Sequence, residues 1–170
     1  AADFARAIAA DPQNLDAIMG RARAYEALGK HELAAGDWSL IIAIRPDQSS
    51  GYVQRAASWL AAGKHEEALV DCARAIALNP ADPEAHIGRA RVYERLNDRP
   101  KALKEFEDAV GLEPQQWTTY LARAELADRW GDKQLAIENY RLVVKLNSRH
   151  WNSYKALHRL GVDHHFGQRD

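Results

Sequence analysis

One cysteine, seven histidines and a row of regularly spaced arginines are the side chains of this sequence best placed to do chemistry. A thiolate beside an imidazole attacks carbonyl carbon, and clustered imidazoles hold metal. Neither arrangement is supported by its neighbours. Cys72 sits on an apolar helical face, where a thiol packs rather than reacts. His150, His158, His164 and His165 gather near the C-terminus, without carboxylates or cysteines at ligand spacing. They read as a polar capping helix and tail. His31 and His65 recur one period apart and read as exposed turn residues. The sequence holds no phosphate-binding Gly loop, Gly-x-Ser-x-Gly, His-Glu-x-x-His or EF-hand loop. No catalytic residue, cofactor or metal site is expected.

The arginines lead to the elements that position them. Arg21, Arg55, Arg89 and Arg123 are each 34 residues apart, and so are Pro12, Pro46, Pro80 and Pro114. Ser148 takes the next proline position. Each proline follows an apolar run and a polar residue, where it stops a helix. Gly29, Gly63 and Gly131 lie midway, with Asn97 in the remaining slot. Gly and Asn tolerate the left-handed backbone at a helix C-terminus. Each period therefore reads helix, tight turn, helix, proline turn, over 15–48, 49–82, 83–116 and 117–150. Asp82, with Pro83 in the first turn, caps a first helix, and Asp98 and Asp132 cap second helices.

Within each period, position 8 is Ala22, Ala56, Ala90 and Ala124, and position 20 is Ala34, Ala68, Ala102 and Ala136. Position 11 is Tyr25, Trp59, Tyr93 and Ala127, and position 24 is Trp38, Cys72, Phe106 and Tyr140. Small residues let two helices approach, and large ones fill the space between pairs. This period and small/large pattern resemble the tetratricopeptide repeat (TPR), across essentially the whole chain. The resemblance implies an all-α fold, an α-solenoid of antiparallel helical hairpins forming a right-handed superhelix. Ala127 in place of an aromatic, the large Ile41 and Val143 at position 27, and His86 at position 4 depart from the family pattern. Residues 1–14 fit a second-helix half repeat, and residues 151–170 a C-terminal capping helix and tail, the helix ending near Gly161.

In such arrays the first helices line a concave groove. Carried over position by position, the resemblance places Met19, Val53, Ile87 and Leu121 along it as an apolar stripe. Gly20, Gln54, Gly88 and Ala122 form its floor, with Arg23, Ala57, Arg91 and Glu125 at the next groove position. The apolar stripe either meets a ligand or packs on the neighbouring first helix. The chaperone-tail clamp known in some members needs Lys and Asn where this chain has Met19, Arg23, Gln54, Glu84 and Gly88, so it is not expected. The arginines at position 7 border the core and are expected to pair with nearby acids rather than form a basic ladder.

The resulting expectation is a protein–protein interaction module or scaffold, taking a peptide or helical segment of a partner protein in the groove by apolar contacts that depend weakly on salt. The alternatives are self-assembly through the open N-terminal half repeat, where Phe4, Ala7 and Ile8 lack a preceding helix, or a regulatory domain of a larger enzyme. At a net charge of −1 there is no electrostatic case for nucleic acid or an anionic membrane surface. No run of apolar residues is long enough to span a bilayer. The first residue is not Met, which points to a processed or trimmed chain. The compartment stays open between the cytoplasm and, after removal of a signal peptide, export.

Overall fold

Helices begin where a side chain can satisfy the free N–H groups of a first turn, and this chain supplies such residues at intervals. In the computed structural model, which describes residues 2–162, Asn14 accepts from Ala17 N at 2.9 Å, Asp82 from Glu84 N at 3.1 Å and Asp132 from Leu135 N at 3.1 Å. Asp98 accepts from Lys101 N at 3.3 Å. Each such cap contributes about 1 kcal/mol. The described residues form ten helices and no strand: α1 (Ala2–Ala10), α2 (Leu15–Ala27), α3 (His31–Ile44), α4 (Ser49–Ala61), α5 (His65–Leu78), α6 (Pro83–Arg95), α7 (Arg99–Leu112), α8 (Trp117–Arg129), α9 (Lys133–Leu146) and α10 (Trp151–Arg159).

Two kinds of turn alternate between them. After each first helix, one residue takes the left-handed conformation: Gly29, Gly63, Asn97, Gly131 and Gly161, with φ from 57° at Asn97 to 84° at Gly161. The next N–H then reaches back to the carbonyl five residues earlier, as Lys64 N does to Trp59 O at 2.9 Å and Val162 N to Leu157 O at 2.9 Å. This is a Schellman closure, and it stops the helix while satisfying its last carbonyls. After the second helices comes a turn with proline at its second position. Gln48 N donates to Arg45 O at 3.3 Å, Asp82 N to Asn79 O at 3.2 Å and Gln116 N to Glu113 O at 3.1 Å. Two tyrosines brace these proline turns, Tyr52 donating to Pro46 O and Tyr120 to Pro114 O.

Contacts divide the chain into two compact parts, one through Glu105 and one from Phe106, and each is described by itself. In the first, α2 packs on α1 and α3, α4 on α3 and α5, and α6 on α4 and α5. In the second, α9 packs on α8 and α10. The alanines expected at the close approaches are buried throughout, from Ala22 and Ala34 to Ala124 and Ala136. A further small residue opens every first helix: Ala17, Gly51, Ala85, Thr119 and Ser153 are all buried. A Cβ on Gly51 would lie 3.0 Å from Ile42 Cγ1, so this position is where α4 meets α3. Ile18, Phe106, Leu126 and Leu157 are fully buried, each contributing about 1.5–3 kcal/mol.

Candidate functional site

The position-7 arginines are held by their own hairpins. Arg21 donates to Asp37 at 2.9 and 2.6 Å, and Arg55 to Asp71 at 2.8 and 2.6 Å. Both carboxylates are nearly buried, and these hydrogen bonds raise the pKa of each arginine. Arg89 pairs with Glu105, whose Oε2 also lies 2.9 Å from His86 Nδ1. The unusual His86 is thus a buried partner of a buried acid. In the last repeat the acid is replaced by Asn139, and Arg123 turns to Glu107 at 3.7 Å. These arginines cross-link helices and leave no basic ladder.

A second set of arginines is different. Arg23, Arg45, Arg91 and Arg95 are exposed, and their side chains make no hydrogen bond or ion pair among the described residues. They flank two clefts on the first-helix side. The first, of about 270 Å³, is lined by Leu15, Met19 and Arg23 of α2, Trp38 and Ile41 of α3, Arg45, Gln48, and Ser50, Gly51 and Gln54 of α4. The second, of about 190 Å³, is lined by Ala56, Ala57, Leu60 and Ala61 of α4 and by Gly88, Arg91 and Arg95 of α6. No carboxylate lines either one. Glu26, on the same helix as Arg23, is occupied instead: its Oε1 accepts from Trp38 Nε1 at 2.9 Å and Ser58 Oγ at 3.0 Å.

Six of the groove residues expected from sequence therefore line clefts: Met19, Arg23 and Gln54 the first, Ala57, Gly88 and Arg91 the second. Val53 is half-buried and lines neither. Ile87 is only 4% exposed and offers almost no surface to a ligand. In the second compact part Leu121 is half-buried against the cluster of Ala124, Tyr140 and Leu157, and Glu125 is exposed. Sequence reasoning missed Trp38, Ile41, Arg45 and Gln48, which reach the first cleft from the second helix and its turn. The signal for Trp38 and Ile41 was recurrence at positions 24 and 27, read as pure core, and Arg45 and Gln48 gave none.

The small groove floor needs correcting. A Cβ on Gly20 would meet Phe4 Cε1 at 2.5 Å, and one on Gly88 would lie 3.4 Å from Cys72 Sγ. The preceding second helix fills the gap at Gly20, which serves packing within the chain, whereas Gly88 touches α5 and still lines the second cleft. Phe4 is consequently seated on α2 although still 37% exposed, and Ile8 joins the cluster of Ile18, Ala22, Trp38 and Ile41.

Of the groups weighed for chemistry, Cys72 is 1% exposed and burial pushes its thiol up to about 12. His31 and His65 are half-buried at the first positions of α3 and α5, not fully exposed. His150 Nδ1 lies 2.8 Å from Ser153 Oγ, and its ring lies 4.9 Å from that of Trp117. His158 is exposed, while His164 and His165 lie outside the described residues. Among the described residues no helix is long and apolar enough to cross a membrane.

Family models of the tetratricopeptide repeat match residues 1–52, 60–126 and 118–150. The chain is a tetratricopeptide repeat protein. Its TPR fold is similar to that of TTC0263, a thermophilic TPR protein of Thermus thermophilus, at 24% identity and a TM-score of 0.80, over 92% of this chain and 86% of that one. MamA is similar at 17% identity and a TM-score of 0.68, over 88% of this chain and 87% of that one. The first TPR of Spaghetti (RPAP3), solved with the HSP90 peptide SRMEEVD, is similar at 19% identity and a TM-score of 0.60, over 67% of this chain and 93% of that one. No curated protein matches the sequence.

Proposed function

We propose that this TPR chain is a protein-interaction module whose first helices α2, α4 and α6 receive a segment of a partner protein. The observation that carries the reading is the pair of clefts between successive first helices. Both are concave, mostly apolar, and edged by arginines without partners among the described residues. A solved TPR of the same fold holds a peptide, which supports this use of the surface. Met19, Arg23, Gln54, Ala57 and Arg91 are the contact residues, while Ile87 acts by packing. In the second compact part, Leu121 and Glu125 are the corresponding contact positions of α8 in this proposal.

Selection of a displayed random peptide library on the immobilised chain tests it. Ala57 is exposed, so Ala57→Trp fills the second cleft without disturbing the core, and Met19→Glu places a charge in the first. Selected peptides should lose binding to both variants, whose helical content stays unchanged. Peptides that bind both variants as well as the parent would show that the ligand surface lies elsewhere.

A second reading, end-to-end association through α1, is favoured by the partly exposed Phe4. Sedimentation equilibrium at rising concentration checks it. A mass that stays monomeric removes it, and a mass that rises in the parent but not in Phe4→Ser supports it.

A further inference from the structure

We infer that the segment taken by these clefts is acidic: an extended peptide that sets carboxylates on Arg23, Arg45, Arg91 and Arg95 and apolar side chains on the cleft floors. This rests on the groove reading above and adds the partner's chemistry to it.

At position 7 each arginine is given an acid of its own hairpin or, in Arg123, a neighbouring one. The four cleft arginines have none among the described residues, in a protein whose net charge with these four included is −1. Glu26, three residues after Arg23 on α2, is held by Trp38 and Ser58. Four unpaired guanidinium groups therefore line the two clefts of α2, α4 and α6. A guanidinium is weakly hydrated and pairs with carboxylates through two parallel N–H donors.

Spacing gives the ligand its outline. Arg91 and Arg95 are four apart on α6 and share a face, so they form a double positive site beside Leu60. Arg23, on α2, and Arg45, at the C-cap of α3, bracket the floor made by Leu15, Met19, Trp38 and Ile41. A segment that fits has an apolar residue flanked by acids over the first cleft and an acidic pair over the second. A nucleic acid fits less well. Its bases need exposed aromatic faces, and Trp38 is 3% exposed beneath the first cleft.

The test is the composition and salt dependence of selected ligands. Random dodecapeptides displayed on phage are selected on the chain, and synthetic copies of the enriched sequences are titrated by fluorescence anisotropy. Enriched sequences rich in Asp and Glu are expected, losing about tenfold in affinity with Arg23→Glu and again with Arg91→Glu. High salt should weaken them further. Both arginines are exposed and unpaired, so thermal midpoints of the variants should match the parent.

Enriched sequences that are neutral or basic, yet lose binding with Ala57→Trp, would overturn the acidic assignment and leave the groove reading standing. Sequences indifferent to every cleft variant would overturn both. Single-stranded oligothymidylate bound more tightly than the peptides, with the same arginine dependence, would overturn the assignment in favour of a phosphate ligand. A dimer of the chain that dissociates with Arg91→Glu would overturn it in favour of a second copy.

Discussion

Asp71 accepts two hydrogen bonds from Arg55, at 2.8 and 2.6 Å, across the hairpin of α4 and α5. The carboxylate side chain is 4% exposed, so the arginine is its replacement for water. Arg55→Ala leaves a buried unpaired charge and should cost about 3–5 kcal/mol in urea unfolding. Replacing both residues by Ala should cost less than Arg55→Ala alone. A loss for Arg55→Ala near the ~0.5 kcal/mol of ordinary surface changes would place this pair with exposed salt bridges instead.

The last repeat offers the converse change. Asn139 is buried, donates Nδ2 to Leu135 O, and leaves Oδ1 without a partner, as Arg123 does Nε. Asn139→Asp recreates the arginine–acid pair of the other hairpins. It should stabilise the second compact part by about 1 kcal/mol, since a charge-assisted hydrogen bond outweighs the neutral one lost. The gain should vanish in an Arg123→Ala background. An unfolding midpoint that falls with Asn139→Asp would mean that desolvation wins.

Asn97 carries a φ of 57° where the equivalent residues are glycine. A β-branched residue there meets its own carbonyl, so Asn97→Val should cost about 1–2 kcal/mol. Asn97→Gly should be close to neutral, because it trades strain for chain entropy. Thermal unfolding of the two variants decides this, and equal midpoints would contradict it.

Burial that raises the Cys72 thiol to about 12 removes its thiolate near neutral pH. An aromatic disulfide reagent should therefore label native Cys72 only as fast as the surrounding helices open. A cysteine at the exposed Val70, two residues away on α5, should react at once. Comparable rates at the two sites would show that α5 is not packed as described.

Much of the fold could be read from spacing because turns are decided locally. Gly29, Gly63, Asn97 and Gly131 announce left-handed closures, and Pro46, Pro80 and Pro114 announce turns, whatever surrounds them. The acids at 37, 71 and 105 were equally regular, each 16 residues after its arginine, but spacing within one helix does not show which side chain of another will reach it. The same gap hid Phe4 over Gly20 and Cys72 beside Gly88. Depth was also invisible: Met19 and Ile87 share a repeat position, yet one lines a cleft and the other is buried. Pairing of charge was the decisive property of the candidate site, and a sequence counts charges without saying which are already spent on each other.

In the hairpins of Arg21, Arg55 and Arg89 the arginine and its acid stand inside one 34-residue stretch, between one proline turn and the next. Any duplication or deletion that begins and ends in those turns therefore carries both halves of the pair together. It never strands a buried carboxylate in a neighbour. Arrays built this way lengthen or shorten by whole hairpins without stranding a buried charge at the splice, and only the seams between repeats, such as Ser58 against Glu26, have to be matched anew.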